Sequence, residues 1–254
     1  MQQLITDKLT AVEKEHGIRI LYACESGSRG WEFPSPDSDY DVRFIYVHPY
    51  KYYLSVMDRE YDLNFPISGE LDMYGWDIRK VLQLMRKSNT TPFEWIQSPI
   101  IYRQGPTFRD DLWQLSQSYF SQISNIHHYL GIARGAMESI ENGNEIKIKK
   151  LFYVLRPLLS AKWCLEKQSI APMTIGPLMT LLPDALKKQV SDLIALKATA
   201  PESFIITINA ELKTYTDHEF ARISEASTHL KRDQFTADEL DAFFVNTITR
   251  YDHQ

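Results

Sequence analysis

The sequence predicts an α+β protein: a small mixed β-sheet with flanking helices, followed by a C-terminal helical domain. Three observations predict it. Short β-rich apolar runs alternate with helix-periodic stretches over the first ~100 residues. Helical periodicity dominates from Phe108 onward. Gly105-Pro106 lies between these two regimes and marks the boundary, giving domains 1–105 and 106–254.

The elements follow in order. Leu4, Ile5, Leu9 and Val12 recur at helical spacing, and Gly17 after them is a C-cap residue. Ile18 to Ala23 is an apolar run rich in β-formers and forms the first strand. Residues 24–38 carry Gly27, Gly30, Pro34 and Pro36, and read as a turn and loop. Tyr40 to Val47 is apolar on both faces for most of its length, so it belongs in the middle of the sheet. Residues 48–69 are less regular: the run from Tyr50 to Val56 fits a short helix or strand, and Tyr61 to Phe65 fits a strand. Glu70 to Tyr74 alternates polar and apolar residues as a half-exposed strand does. Asp77 then caps a helix with Ile78, Val81, Leu82 and Met85 on one face. A short helix over Pro92–Ile96 and a strand over Pro99–Tyr102 complete the first domain. The helical domain is broken at Gly143, Pro172, Gly176, Pro183 and Pro201. Ile146 to Leu165 reads as one helix, which Pro157 either kinks or restarts.

Composition excludes several classes. Apolar residues make up 44% and charged residues 24%, values of a folded globular chain. No apolar run approaches the ~18 residues of a membrane span. The N-terminus has neither the basic start nor the apolar stretch of a signal peptide, so a cytoplasmic location is expected, with no membrane partner. Cys24 and Cys164 are too few for a disulfide framework or a cysteine zinc cage, and both are expected to be buried thiols. A net charge of −5 gives no general attraction to nucleic acid.

Asp39 and Asp41 carry the chemistry. Two apart on a strand, they project from one face, and two anions ~5 Å apart repel by about 3 kcal/mol at an effective dielectric near 20. A hard divalent cation resolves that conflict through carboxylate and phosphate oxygens. An isolated Asp-x-Asp beside a turn is better explained by hydrogen bonds to the turn backbone. The preceding Gly27-Ser28 adds weight, because a turn glycine lets backbone N–H groups approach a phosphate and the serine hydroxyl can bond to it. Asp72, an acid between Leu71 and Met73 in a strand-like run, supplies a third carboxylate. Asp77 is a weaker rival, since capping explains it, and Glu70 is weaker still.

Gly-Ser, a spacer of about ten residues, Asp-x-Asp and a later strand acid together resemble the signature of the DNA polymerase-β-like nucleotidyltransferases. Longer runs narrow the resemblance: Glu25 to Trp31, Ser35 to Phe44, Gly75 to Lys80, Glu94 to Pro99 and Tyr153 to Leu159. They are similar to a bacterial and phage family of nucleotidyltransferases associated with RNA ligases and RNA repair. The resemblance implies a polymerase-β-like fold and transfer of a nucleoside monophosphate from a nucleoside triphosphate to an acceptor hydroxyl, with pyrophosphate released. It further implies Mg2+ or Mn2+ held by Asp39, Asp41 and Asp72, and triphosphate oxygens held at Gly27 and Ser28. The acceptor is an RNA end, a protein or a small molecule.

Four cations are further candidates. Arg29 adjoins the phosphate turn, and either reaches a phosphate or pairs with Asp37 or Glu32. Lys149, Tyr153 and Arg156 share one helix face, so Lys149, Lys150 and Arg156 are candidate nucleotide contacts, with a solvated basic face as the alternative. Arg43 falls on the face of Asp39 and Asp41 by parity and is read as a structural ion-pair partner. Trp76, Trp95 and the tyrosines at 50, 52 and 53 are read as packed aromatics, and His127-His128 as lacking metal-ligand spacing. The rival from another class is a catalytically silent nucleotide-binding or protein-interaction module on the same fold.

Overall fold

The computed structural model describes residues 1–138 and 145–252, so the expected break at Gly143 lies outside the described residues. In chain order the first elements are α1 (Gln2–His16), β1 (Arg19–Glu25), the single turn α2 (Gly27–Gly30), β2 (Tyr40–Val47), α3 (Tyr50–Tyr53) and β3 (Asp62–Asn64). Next come β4 (Leu71–Asp77), α4 (Ile78–Arg86), α5 (Thr90–Gln97), β5 (Ile101–Gln104), α6 (Phe108–Gln117) and α7 (Gln122–Met137). The chain ends with β6 (Glu145–Lys147), α8 (Ile148–Lys167), α9 (Ile175–Leu178), α10 (Asp184–Lys197), β7 (Ile205–Thr207), α11 (Ala210–Ser227) and α12 (Asp238–Tyr251). Two compact units result. One comprises Met1–Gly27, Asp39–Tyr119 and the residues from Gln234 onward; the other comprises Ser28–Ser38 and Phe120–Asp233.

The first unit is built on a five-stranded sheet in the order β3-β4-β2-β1-β5. The central strands β1 and β2 are the most continuously buried, as their apolar sequences require. β2 runs antiparallel to β1 but parallel to β4, in a register that sets Asp41 opposite Asp72 and Tyr46 opposite Asp77. The amphipathic α1 buries Ile5, Leu9 and Val12 in a core shared with Ile20, Val42, Phe44 and Met73. Gly17 ends α1 at φ 59°, as its position after the last apolar repeat implies. Asp77 caps α4 by accepting from the Arg79 N–H at 2.7 Å, and Ile78, Val81, Leu82 and Met85 are buried behind it.

The boundary expected at Gly105-Pro106 does not separate the units. α6 stays with the sheet because Phe108 and Leu112 are buried there, and α12 returns to it, with the Phe108 and Phe243 ring centres 6.2 Å apart. Residues 28–38 leave the sheet unit altogether, because Phe33 joins the core of the helical one. That core also contains Ile126 and Tyr129 of α7, Leu155 and Leu159 of α8, and Ile223 of α11. Pro157 lies inside α8 without ending it. The helix begins at Ile148 rather than Ile146, because Glu145–Lys147 pairs with Ile205–Thr207 as a two-stranded ribbon. Both cysteines are buried and free. No helix among the described residues is long and apolar enough to cross a membrane.

Candidate active site

The parallel pairing of β2 with β4 brings two of the three expected carboxylates side by side. Asp41 and Asp72 are register partners, and adjacent strands are about 4.8 Å apart. Between them lies Arg43, whose Nη2 donates to Asp41 Oδ1 at 2.8 Å and to Asp72 Oδ2 at 2.7 Å. Its Nη1 donates to the Asp72 carbonyl at 3.0 Å, and its guanidinium lies 4.1 Å from the Tyr74 ring centre. Parity had placed Arg43 on this face; parity could not give its span across two strands. The guanidinium is buried while the carboxylates keep 27% and 30% of their side-chain exposure, so both acids open to solvent above a fixed cation.

Asp39 precedes β2 and is exposed. Among the described residues no group of three His, Cys, Asp or Glu side chains is close enough to hold a metal ion. The expected triad is therefore two converged carboxylates plus a neighbour in the chain, and the charge conflict is relieved by Arg43.

Gly27 is fixed against this pair. Its φ is +57°, and a Cβ built on it would stand 1.9 Å from Asp41 Oδ2. Glu25, fully buried, holds the turn: Oε1 accepts from the Asp41 N–H at 2.8 Å and Oε2 accepts from the Tyr102 hydroxyl at 2.5 Å. The Ser26 N–H adds a bond to the Asp41 carbonyl at 2.8 Å. Sequence reasoning gave Glu25 no role. Its signal was an acid closing an apolar strand directly before Gly27-Ser28, where burial without a partner is costly.

The helical unit holds residues 28–38 tightly. Ser28 is buried and its carbonyl accepts from the Phe33 N–H at 3.0 Å. Arg29 donates to the Ser38 carbonyl at 2.8 Å, closing the base of the segment, a bond not among the expected ones to Asp37 or Glu32. Phe33 stacks on Phe152 with ring centres 4.7 Å apart. Buried Lys197 donates to Ser35 Oγ at 2.9 Å; burial lowers its pKa, which the Glu202 charge partly opposes. Glu202 accepts from Ser38 Oγ at 2.8 Å and from Lys149 Nζ at 2.5 Å, and its N–H donates to Asp37 Oδ1 at 2.9 Å. Lys197 and Glu202 were missed because more than 150 residues separate them from the segment they hold.

The face of α8 carrying Lys149, Tyr153 and Arg156 is covered rather than solvated. Tyr153 meets Trp31 edge-on at 5.5 Å, and the Arg156 guanidinium lies 4.4 Å from the Trp31 ring centre. Arg156 is only 2% exposed and its Nε donates to the Met173 carbonyl at 3.0 Å. Burial overturns the solvated basic face for Arg156: its guanidinium packs on Trp31 and bonds the Met173 carbonyl. Lys149 remains partly exposed beside Glu202, and Lys150 is exposed. Trp95 is buried and stacks on Trp76 at 4.2 Å, in line with packed aromatics.

Comparisons with known proteins give the family of the chain. A Bacillus subtilis (strain 168) protein, "Uncharacterized protein YcgL", is 38% identical over 251 residues, which cover 98% of this chain and 96% of that one. A crystal structure of a nucleotidyltransferase-like protein from Exiguobacterium sibiricum 255-15 aligns over 88% of this chain and 74% of its own at 8% identity. Its TM-score of 0.33 is too low for that likeness to bear on the site. The model of the RNA repair pathway DNA polymerase beta family matches residues 1–246. That match over nearly the whole length means that the chain belongs to the RNA repair pathway DNA polymerase beta family.

Proposed function

We propose that the protein is a metal-dependent nucleotidyltransferase that moves a nucleoside monophosphate from a nucleoside triphosphate to an acceptor hydroxyl, an RNA end being the acceptor the family points to. The observation that carries this reading is the Asp41–Asp72 register pair with Gly27 fitted against the Asp41 carboxylate. The donor chemistry suits the metal: two solvent-facing carboxylates offer the hard oxygens Mg2+ or Mn2+ prefers, and Asp39, which is not grouped with the pair, would have to swing in to add a third. When bound, the ions supply charge neutralisation at the attacking and leaving oxygens.

The chain's own groups do the rest. The Gly27 backbone and the Ser28 hydroxyl hold the outer phosphates, with Arg29, Lys149 and Lys150 as candidate cations for the same charge. Asp72 takes the proton of the acceptor hydroxyl as its oxygen attacks the α-phosphorus. The bond from that phosphorus to the bridging oxygen breaks in line, and pyrophosphate departs. Glu25 keeps the Asp41 backbone in place through its hydrogen bond.

One observation favours the silent alternative: Arg43 is already paired with both carboxylates. Pyrophosphate release from labelled nucleoside triphosphates, with Mg2+ and mixed RNA, protein and small-molecule acceptors, separates the two readings. Turnover is expected from the wild-type protein, falling at least ~10²-fold in Asp41→Asn by analogy with losing one electrostatic stabiliser. No release with any nucleotide, or an unimpaired Asp41→Asn, would leave the silent module standing.

A further inference from the structure

A second concave site lies within the sheet unit. The start of β1, the end of β5, α1 and the end of α12 enclose a cleft of about 440 Å3. Arg19, Arg103 and Arg250 line it, from three separate elements. Arg103 pairs with Glu13 and donates to Thr10 Oγ1 at 2.8 Å, and Glu13 Oε1 accepts from the Ile20 N–H at 2.7 Å. Glu13 therefore offsets Arg103 and no more. Arg19 and Arg250 form no ion pair among the described residues; Arg250 donates only to Thr107 Oγ1, at 3.2 Å. Two positive charges in excess converge on this cleft in a chain of net charge −5.

The floor supplies an independent sign. The Tyr251 hydroxyl is buried and has no hydrogen-bond partner among the described residues. It rests against Gly105, where a Cβ would come within 3.0 Å of it. A buried hydroxyl left unsatisfied costs about 1–3 kcal/mol, so an acceptor atom entering the cleft recovers what folding leaves unmade. A planar fork beside a second guanidinium and a hydroxyl donor suits a tetrahedral dianion better than a carboxylate. The volume also accommodates a nucleotide-sized group.

We propose that this cleft binds a terminal phosphomonoester, carried by a free nucleoside monophosphate or by an RNA end. The cleft is separate from the carboxylate pair: Arg103 is tied to Glu13 and Thr10 of α1, the helix that packs with Val42 and Phe44, whereas Asp41 and Arg43 alternate with those residues onto the other face of β2. One triphosphate cannot span both, and the proposal stands or falls independently of nucleotidyl transfer.

The test is fluorescence anisotropy in EDTA, which removes metal-dependent triphosphate binding. The probes are oligoribonucleotides labelled at one end and bearing phosphate or hydroxyl at the other, in 5′ and 3′ versions. Phosphorylated RNA is expected to bind at least tenfold tighter than its hydroxyl counterpart. The double variant Arg19→Gln/Arg250→Gln should abolish the difference, and Tyr251→Phe should reduce it severalfold without lowering the thermal midpoint. Competition by AMP identifies a free nucleotide as an occupant, and competition by phosphorylated RNA alone identifies an RNA terminus. If circular dichroism reveals a misfolded double variant, Arg19→Gln alone, at an exposed strand start, carries the same expectation. Equal binding of phosphorylated and hydroxyl RNA with no AMP competition would overturn the proposal, as would variants that bind like the wild type.

Discussion

Gly27→Ala is the sharpest perturbation of the candidate active site. Two costs add. At φ +57° a residue with a Cβ carries about 1–2 kcal/mol of backbone strain. The new methyl would also start 1.9 Å from Asp41 Oδ2, where ordinary contact begins near 3.4 Å, so the carboxylate or the turn must retreat by about 1.5 Å. A retreat of the carboxylate breaks the 2.8 Å bond to Arg43, and a retreat of the turn pulls on the Ser26 N–H bond to the Asp41 carbonyl. Misplacing a catalytic group by ~1 Å costs on the order of 10²-fold in rate. The expected variant is destabilised by at least about 1–2 kcal/mol in urea unfolding, the strain alone, and loses at least ~10²-fold in pyrophosphate release, a loss that exceeds any change in folded fraction. Gly131→Ala is the control: it lies in α7 with nothing within 4 Å of its Cβ, and should stabilise by up to ~1 kcal/mol. A Gly27→Ala enzyme with wild-type turnover would show that Asp41 need not sit where the turn holds it.

Three further outcomes are expected. Arg43→Met leaves Asp41 and Asp72 facing each other; discounted for their partial exposure, the loss is on the order of 1 kcal/mol in EDTA, and millimolar Mg2+ should restore the melting temperature. A melting temperature indifferent to both the substitution and Mg2+ would mean that the carboxylates do not converge. Arg156→Ala should cost about 2–4 kcal/mol of stability by removing a charge-assisted hydrogen bond and a stacked guanidinium; a raised KM for nucleotide with unchanged stability would return Arg156 to the binding residues. Burial pushes the Asp77 carboxyl up to about 6, against the opposing Tyr53 and Arg79 hydrogen bonds. The unfolded chain then loses this proton at lower pH than the folded one, so stability is fullest below about 4 and falls by up to ~3 kcal/mol as pH rises through 6. Asp77→Asn should flatten that slope in urea titrations between pH 4 and 7, and an unchanged slope would place the linkage elsewhere.

The fold was legible where one element's own pattern decided it. β2 is apolar on both faces and is therefore central; α4 has a capping acid ahead of four apolar residues on one face. Illegible were the decisions that need a distant partner. Gly27, Gly30, Pro34 and Pro36 announce a loop, but nothing local reveals that Trp31 and Phe33 bury themselves against α8, over 110 residues later. The same contact explains Arg156: a helical wheel gives the face on which a guanidinium lies, and says nothing of what covers it. The return of α12 to the sheet unit is equally non-local, since its apolar stripe would serve a bundle as well as a sheet.

The site divides along a similar line. Period-two alternation placed Asp41, and the cost of burying an acid singled out Asp72; the parallel register that makes them neighbours was not in either segment. From converging carboxylates the sequence argument ran directly to a metal, yet like charges can be relieved by any cation, and Arg43 is one already present. The two solutions are compatible in one respect: the guanidinium takes one oxygen of each carboxylate, and a divalent ion requires only oxygens on the solvent side.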